Sequence, residues 1–174
     1  AELLATPGVR EAFAIQTCNR SEAYVVTDRA EQGRAALDGI ADGVRSGVVE
    51  QMDHETSLRH LMRLGAGLES LVLGEDQIIG QLRDAVETAR SEDGIGPMLD
   101  DTLMKAIHVG ERARTETAIN EGVVSLGSAT VTLADREADL DGATALVIGA
   151  GEMGTVAAES LADTGIDRLV IANR

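Results

Sequence analysis

A single cysteine is the most reactive side chain in this sequence. Cys18 ends a short apolar stretch and is followed directly by Asn19 and Arg20. A guanidinium beside a thiol lowers the thiol pKa and raises the thiolate fraction at neutral pH, and a thiolate is the natural nucleophile for acyl transfer. A lone cysteine at the end of an apolar strand is also often a small buried hydrophobe. The residues alone leave both interpretations open.

A glycine-rich segment near the end of the chain is typical of a nucleotide-binding turn. Residues 149–154 read GAGEMG and lie between a predicted strand and a predicted helix, the context in which GxGxxG is informative. Such glycines let backbone N–H groups and a helix N-terminus approach a pyrophosphate. The alternative is a glycine turn in a Rossmann-like domain that binds no nucleotide.

The next strand ends in Asn173-Arg174 rather than in an acidic residue, which favours the 2′-phosphate of NADP over NAD. The predicted cofactor-binding residues are Gly149, Ala150, Gly151, Glu152, Met153, Gly154, Asn173 and Arg174.

Polar side chains in the central region are candidate partners of a substrate. His60 lies early in a predicted helix and would act as an acid or base with Cys18 if the fold brought the two together; the alternative is a solvated histidine on a helix face. Glu75 and Asp76 precede another predicted helix, where acidic residues complement the helix dipole. In the functional interpretation a polar substrate is faced by Ser70, Glu75, Gln77 and Gln81.

The element that must position Cys18 is a pair of strands. Residues 12–17 and 23–27 are short, apolar and rich in strand-forming residues, with a polar connection between them. Apolar residues at helical spacing predict a helix over 31–46 that covers the sheet through Ala35, Leu37, Ile40, Ala41 and Val44. Two strands alone are marginally stable, so we expect at least one more.

The rest of the chain predicts four helices and then a βαβ unit. The helices cover 56–73, 76–90, 98–114 and 124–137, the first capped by Thr56 or Ser57. Strand 143–148, the glycine turn, helix 155–162 and strand 169–172 open a doubly wound parallel sheet. The fold class is therefore α/β, with an α+β domain at 1–140 and the start of a Rossmann-type domain at 141–174. Because one βαβ unit cannot bury both faces of its strands, we expect a longer parent protein.

The amino-acid composition and net charge exclude several kinds of site and of protein. One Cys excludes internal disulfides and multi-cysteine metal sites, and the three histidines are too scattered for a metal site. The sequence has neither an 18-residue apolar run nor a signal-peptide pattern, which predicts a soluble protein of a reducing compartment. The net charge of −15 with a single lysine resembles proteins that stay soluble in concentrated salt, where charges are screened. Such a charge repels nucleic acid, so a nucleic-acid partner would need local basic residues, concentrated salt or parts outside this sequence. The local basic residues are Lys105, Arg112 and Arg114.

Six motifs, in their order and spacing, resemble those of glutamyl-tRNA reductases. They are TCNRSE at 17–22, HLMR at 60–63, GLESLVLGE at 67–75, GERARTET at 110–117, VSLGS at 124–128 and the GAGEMG turn. The resemblance covers essentially the whole chain. It implies an NADPH-dependent oxidoreductase at the first step of five-carbon tetrapyrrole (porphyrin and haem) biosynthesis.

The resemblance also implies roles for individual residues. Cys18 would attack the ester carbonyl of glutamyl-tRNA(Glu) to form a thioester and release tRNA, and hydride from NADPH would then give glutamate-1-semialdehyde. His60 matches a histidine that is important for activity. The glutamyl group would be held by Thr17, Asn19, Arg20, Ser70, Glu75, Asp76, Gln77 and Gln81.

Further expectations concern the parent protein. The family has a first strand, a complete nucleotide domain and a helical dimerisation domain, none of which this sequence contains. The resemblance thus implies a cytoplasmic homodimer, with glutamate-1-semialdehyde aminomutase as a partner. Two alternatives remain: a thiol-dependent acyl hydrolase, and a noncatalytic NADP-binding regulatory protein.

Overall fold

The computed structural model describes residues 2–17, 19–45, 47–70, 72–120 and 126–173, except for the side chains of Leu126 and Glu152. A short 3₁₀ helix at Leu3–Ala5 precedes the first strand. The other elements are β1 (Val9–Gln16), β2 (Ser21–Thr27), α1 (Ala30–Ile40), α2 (His54–Gly65), α3 (Gln77–Ser91), α4 (Pro97–Glu116), α5 (Leu126–Glu137), β3 (Thr144–Ile148), α6 (Glu152–Ala162) and β4 (Arg168–Ala172). The mixed α/β class predicted from the sequence is confirmed, and every predicted helix and strand is present with shifted ends.

These elements form two compact units. The first comprises Ala1–Glu69 with Gln77–Thr117, and the second comprises Ser70–Asp76 with Ala118–Arg174. Helix α5 packs on α6 within the second unit. The domain limits 1–140 and 141–174 stay a prediction. None of the helices in the described ranges is long and apolar enough to cross a membrane.

The first unit is built around the antiparallel hairpin of β1 and β2. Phe13 pairs with Tyr24 and Ile15 pairs with Glu22, so these four residues share one face of the sheet. In the described part of the chain this sheet has two strands, so the third strand expected from the sequence is not among them. Helices cover the sheet instead. The buried core consists of Phe13, Ile15, Leu61, Leu64, Ile78, Ile79, Leu82, Val86, Leu99, Leu103, Ala106 and Ile107.

Helix α1 covers the sheet with a different face from the predicted one. Its buried residues are Gly33 and Ala36, whereas Ile40 and, beyond the end of the helix, Val44 are about half exposed. A Cβ on Gly33 would lie 3.1 Å from the hydroxyl of Thr27. Small residues therefore line the contact because the helix lies very close to β2. The helical spacing of larger apolar residues pointed to the wrong face.

Helix α2 begins and ends earlier than predicted. Asp53, rather than Thr56 or Ser57, is the N-cap, and its carboxylate accepts the backbone N–H of Thr56 at 2.9 Å. At the other end Gly67 has a φ of +76° and the Leu68 N–H reaches the Arg63 carbonyl at 2.9 Å. This is a Schellman motif, in which a glycine in the left-handed region stops the helix although the apolar spacing continues.

A similar stop ends α3, but there a non-glycine residue occupies the left-handed position. Asp93 has a φ of +52°, and the Gly94 N–H donates to the Ala89 carbonyl at 2.8 Å. Replacing Asp93 with Gly should raise the free energy of unfolding by about 0.5–1 kcal/mol, since it removes the Cβ strain and an acidic charge at a helix C-terminus. Urea denaturation of this chain measures the change, with the exposed Asp84→Gly as a control that should destabilise. An unchanged or lower stability for D93G would show that Asp93 is not strained.

The second unit holds the parallel pair β3–β4 with α6 packed against it. The pairing runs from Thr144 with Arg168 to Ile148 with Ala172. In α5 a Cβ on Gly127 would collide with the side chain of Ser160 in α6, so the glycine allows the close approach of these helices. The predicted βαβ order is confirmed.

Candidate functional site

The hairpin turn between β1 and β2 presents the TCNR motif. The backbone N–H of Thr17 donates to the Arg20 carbonyl at 2.8 Å, and the backbone N–H of Asn19 donates to the Thr17 hydroxyl at 3.2 Å. Thr17 thereby shapes the turn. The predicted nucleophile, Cys18, lies outside the described residues, and its role stays a prediction.

A carboxylate that sequence reasoning missed joins two of the predicted site residues. Glu22 Oε1 lies 3.0 Å from His60 Nε2 and accepts a hydrogen bond from Arg20 at 3.3 Å. Its other oxygen, Oε2, accepts the hydroxyl of Tyr24 at 2.6 Å. Glu22 therefore links the turn, strand β2 and helix α2 through one side chain.

Arg20 is held on two sides. One guanidinium nitrogen donates to Glu22 and the other donates to the backbone carbonyl of Glu69. The side chains of Arg20, Glu22 and His60 are each less than one fifth exposed. Two of the five N–H donors of a guanidinium are used in these contacts with described residues. The arginine is thus fixed in orientation before any ligand binds.

Arg63 extends this network on the side of helix α2. It forms an ion pair with the carboxylate of Glu69, the residue whose backbone carbonyl holds Arg20. Arg20 is therefore bound to a residue that is itself tied to α2. We call Arg20, Glu22, Tyr24, His60 and Glu69 the Glu22 network.

The contacts in the Glu22 network shift three pKa values. Burial acts to raise the pKa of Glu22, but the hydrogen bonds from His60 and Tyr24 and the charges of His60 and Arg20 together hold it below its ordinary value. The hydrogen bond to Glu22 raises the pKa of His60 against the opposing effect of burial. Burial, and then the hydrogen bond to Glu22, raises the pKa of Tyr24. The network therefore favours an ionised glutamate, a protonated histidine and a neutral tyrosine.

The remaining predicted glutamate-binding residues belong to α3 or to the second unit. Gln77 and Gln81 are the first and fifth residues of α3, exposed and half-buried respectively. Ser70, Glu75 and Asp76 belong to the second unit, where Gly74, with a φ of +78°, lies against the Ile119 carbonyl. That these five residues face the same ligand as Arg20 stays a prediction.

The basic residues predicted to meet RNA phosphates all have partners among the described residues. Lys105 pairs with Asp101 at 2.6 Å, and Arg112 pairs with Glu116 at 2.8 Å. Arg114 donates to the backbone carbonyls of Gly65 and Gly110 at 3.1 and 3.0 Å. The ion pairs of Lys105 and Arg112 are solvent-exposed and therefore weak. That these three residues meet RNA phosphates stays a prediction.

The glycine turn has the backbone geometry typical of GxGxxG, and its binding of a dinucleotide stays a prediction. Gly149 has a φ of +103°, and a Cβ on Gly154 would collide with the Gly149 carbonyl. Among the described residues, nothing lies within 4 Å of a Cβ built on Gly151. The first glycine thus makes the tight turn, the second leaves the backbone open and the third allows α6 to pack closely. Helix α6 begins at Glu152, directly after Gly151, so its N-terminus lies at this open position.

Asn173 ties this turn to the end of the second strand. Its side-chain oxygen accepts the backbone N–H of Ala150 at 3.4 Å, and the Gly149 N–H donates to the Ala172 carbonyl at 2.8 Å. Asn173 therefore orders the turn, a role that the sequence did not show. Arg174, the residue on which the preference for NADP was based, lies outside the described residues.

The Glu22 network leaves a detectable signal in the sequence. Glu22 and Tyr24 alternate with other residues of β2, and alternate residues of a strand point to one face. Arg20 precedes them at the same spacing, in the turn. That face pairs with the buried Phe13 and Ile15, and Glu22 and Tyr24 on it are themselves half-buried. A charged residue on a half-buried strand face indicates a polar network.

Comparison with known proteins shows which families the chain matches. Residues 1–117 match the family described as glutamyl-tRNA(Glu) reductase, N-terminal domain, and residues 132–174 match the shikimate / quinate 5-dehydrogenase family. The first match covers both the TCNR turn and the Glu22 network. The chain belongs to the glutamyl-tRNA reductase family.

Relatives within the glutamyl-tRNA reductase family are similar along nearly all of the chain. Glutamyl-tRNA reductases of Haloquadratum walsbyi and Haloarcula marismortui are 63% and 62% identical over 172 residues, which is 99% of this chain and 38% of each relative. The solved glutamyl-tRNA reductase of Methanopyrus kandleri has 36% identity and a TM-score of 0.66, over 99% of this chain and 42% of that one. The chain therefore spans about two fifths of the length of the relatives that it matches.

Proposed function

We propose that this chain carries the substrate-binding part, and the beginning of the cofactor-binding part, of an enzyme that reduces glutamyl-tRNA(Glu) to glutamate-1-semialdehyde. The observation that carries the proposal is the pair of Arg20 and His60, held by one carboxylate beside the TCNR turn. The family membership and the glycine turn support it. The proposed reaction is the first step of five-carbon tetrapyrrole biosynthesis.

The first chemical step is acyl transfer to Cys18. The thiolate attacks the ester carbonyl of the glutamyl group, the bond to the tRNA ribose oxygen breaks, and that oxygen takes up a proton as the tRNA leaves. His60 is suited to this proton transfer because its contact with Glu22 favours the protonated imidazole. Arg20 offers its remaining N–H donors to a carboxylate of the glutamyl group, a charge-assisted interaction that fixes its orientation.

Residues of the second unit would hold the nicotinamide cofactor. Gly149, Gly151 and Gly154 meet the conformational demands of a dinucleotide turn, and Asn173 orders it. When bound, the cofactor supplies the hydride that reduces the thioester to the aldehyde and releases the thiolate. We propose NADPH as this cofactor.

Replacing Cys18 with Ser should abolish semialdehyde formation by the full-length protein, with a loss of at least about a thousandfold, because serine is not appreciably ionised at neutral pH. Rapid acid quench of the wild-type protein with [¹⁴C]glutamyl-tRNA should show label bound to protein, and addition of NADPH should discharge it. The C18S protein should bind glutamyl-tRNA but take up no label. Wild-type activity in C18S would contradict the thioester mechanism.

The same experiment separates the alternatives. A thiol-dependent acyl hydrolase would form labelled protein that water, and not NADPH, discharges. A noncatalytic NADP-binding regulatory protein would take up no label in either form.

Further proposals concern the whole protein. We propose glutamyl-tRNA(Glu) as the macromolecular substrate, a homodimer as the assembly, the cytoplasm as the compartment and glutamate-1-semialdehyde aminomutase as the enzyme that receives the product. The net charge of −15 opposes tRNA binding, and concentrated salt would screen this repulsion.

A further inference from the structure

We propose that Tyr24 is a positioning residue for this reaction, because its hydroxyl fixes the one carboxylate that holds both Arg20 and His60. This inference rests on the proposed function. Tyr24 would touch neither substrate nor cofactor and would act only through Glu22.

The two carboxylate oxygens of Glu22 have different partners, which supports this role. Oε1 serves both Arg20 and His60, at 3.3 and 3.0 Å, whereas Oε2 receives the Tyr24 hydroxyl at 2.6 Å. A carboxylate held through one oxygen alone can rotate about its terminal torsion, since that torsion is broad. The tyrosine blocks this rotation and thereby keeps Oε1 between its two cationic partners.

Tyr24 is itself well anchored. It lies opposite Phe13 across the hairpin, with the ring centroids 6.0 Å apart, and it packs against the core of the first unit. Glu22 and Tyr24 lie two positions apart on β2, so their side chains share one face of the strand. A rigid aromatic ring on a strand therefore carries the hydroxyl to Glu22.

Replacing Tyr24 with Phe removes the hydroxyl and keeps the ring. In the full-length protein kcat/KM for glutamyl-tRNA should fall about tenfold, the effect expected for one hydrogen bond to a charged group. The charged groups around Glu22 are Arg20 from the turn and His60 from α2, and Glu69 acts on His60 and Tyr24 from beyond α2. Because the Tyr24 hydrogen bond helps to lower the pKa of Glu22, its removal should shift the acid limb of the pH profile to higher pH.

A matched control is Phe13→Leu, which alters the packing against Tyr24 and leaves its hydroxyl. This variant should lose stability without moving the acid limb. A second test combines Tyr24→Phe with Glu22→Gln: if Tyr24 acts through Glu22, the double variant should be no less active than E22Q alone. Multiplied losses in the double variant would overturn the proposal.

Carboxyl ¹³C NMR of this chain measures the titration of Glu22 without any substrate. The Glu22 titration should move to higher pH in Y24F and stay in place in F13L. An unmoved titration, or a Y24F chain that does not fold, overturns the positioning role and makes Tyr24 a structural residue. If the wild-type full-length protein forms no semialdehyde, the proposed function fails, whereas the NMR titration still decides whether the Tyr24 hydroxyl holds Glu22.

Discussion

Replacing Glu22 with Gln should lower kcat/KM for glutamyl-tRNA reduction by the full-length protein roughly a hundredfold. The change removes the negative charge that binds Arg20 and His60 together, and hydrogen bonds to charged groups are each worth about 1.5–3 kcal/mol. The amide keeps the size of the side chain and one acceptor oxygen. The expected loss of activity therefore comes from the lost negative charge and the lost second acceptor oxygen, and not from a change in packing.

The effect of this variant on stability should depend on pH. The pKa of His60 is raised from 6.5 in the folded chain, so its contribution is complete below 6.5 and is lost as pH rises through the folded pKa. The pKa of Glu22 is lowered from 4.5, so its contribution is present above 4.5 and is lost as pH falls through the folded pKa. The stability difference between wild type and E22Q should thus be largest between pH 4.5 and 6.5.

Urea denaturation of this chain over a series of pH values tests the dependence, and steady-state kinetics of the full-length protein tests the activity. A matched control is Glu87→Gln, which removes the same charge from an exposed position on α3. E87Q should leave both the activity and the pH dependence unchanged. Wild-type activity in E22Q, or a stability difference that does not vary with pH, would contradict the assigned role of Glu22.

Replacing Gly110 with Ala should destabilise the first unit by about 3 kcal/mol, at the upper end of the usual range for overpacking. Helices α2 and α4 cross so closely that a Cβ on Gly110 would collide with the Gly65 carbonyl, and a Cβ on Gly65 would collide with the Ala106 carbonyl. These are backbone atoms of helices and cannot rotate away. Arg114 also binds the Gly65 carbonyl at 3.1 Å, so separating the helices would disturb this contact as well.

A matched control on α3 should give the opposite sign. Among the described residues, nothing lies within 4 Å of a Cβ built on Gly80. Alanine is favoured over glycine in a helix by up to about 1 kcal/mol, so Gly80→Ala should be neutral or stabilising. Urea midpoints of the two variants measure the difference. Equal midpoints would show that α2 and α4 can accommodate a methyl group at Gly110, which contradicts the close contact between these helices.

The sequence predicted helices and strands well where a single hydrophobic pattern covered the whole element. The inward residues of α3, including Ile78, Leu82 and Val86, were found from helical spacing and are buried. The strands around the TCNR turn and the βαβ unit were found from apolar runs and glycines, because strand alternation and turn chemistry are local properties. The end of α2 at Gly65 was missed because the apolar spacing continues to Val72, whereas Gly67 stops the helix.

The candidate site was predicted only in part. Motif resemblance selected Arg20 and His60, and the structure joins them through Glu22. Neither Glu22 nor Tyr24 was selected, although their alternation on the strand face opposite Phe13 and Ile15 is a signal that the sequence carries. The role of Asn173 in holding the glycine turn was also missed. Contacts between residues 38 positions apart, as for Glu22 and His60, have no local signature.

Local sequence patterns were enough to predict the class of the fold, the place of the turn that carries Cys18 and the glycine turn. Each of these follows from the residue types within a short window. Only the tertiary structure decided that Arg20, Glu22, Tyr24 and His60 form one network, and that Lys105, Arg112 and Arg114 are engaged by groups of the protein itself. Whether a charge serves a ligand or a neighbouring residue depends on which groups the packed helices and strands bring within a few ångströms of it, because electrostatic interactions depend on distance and burial.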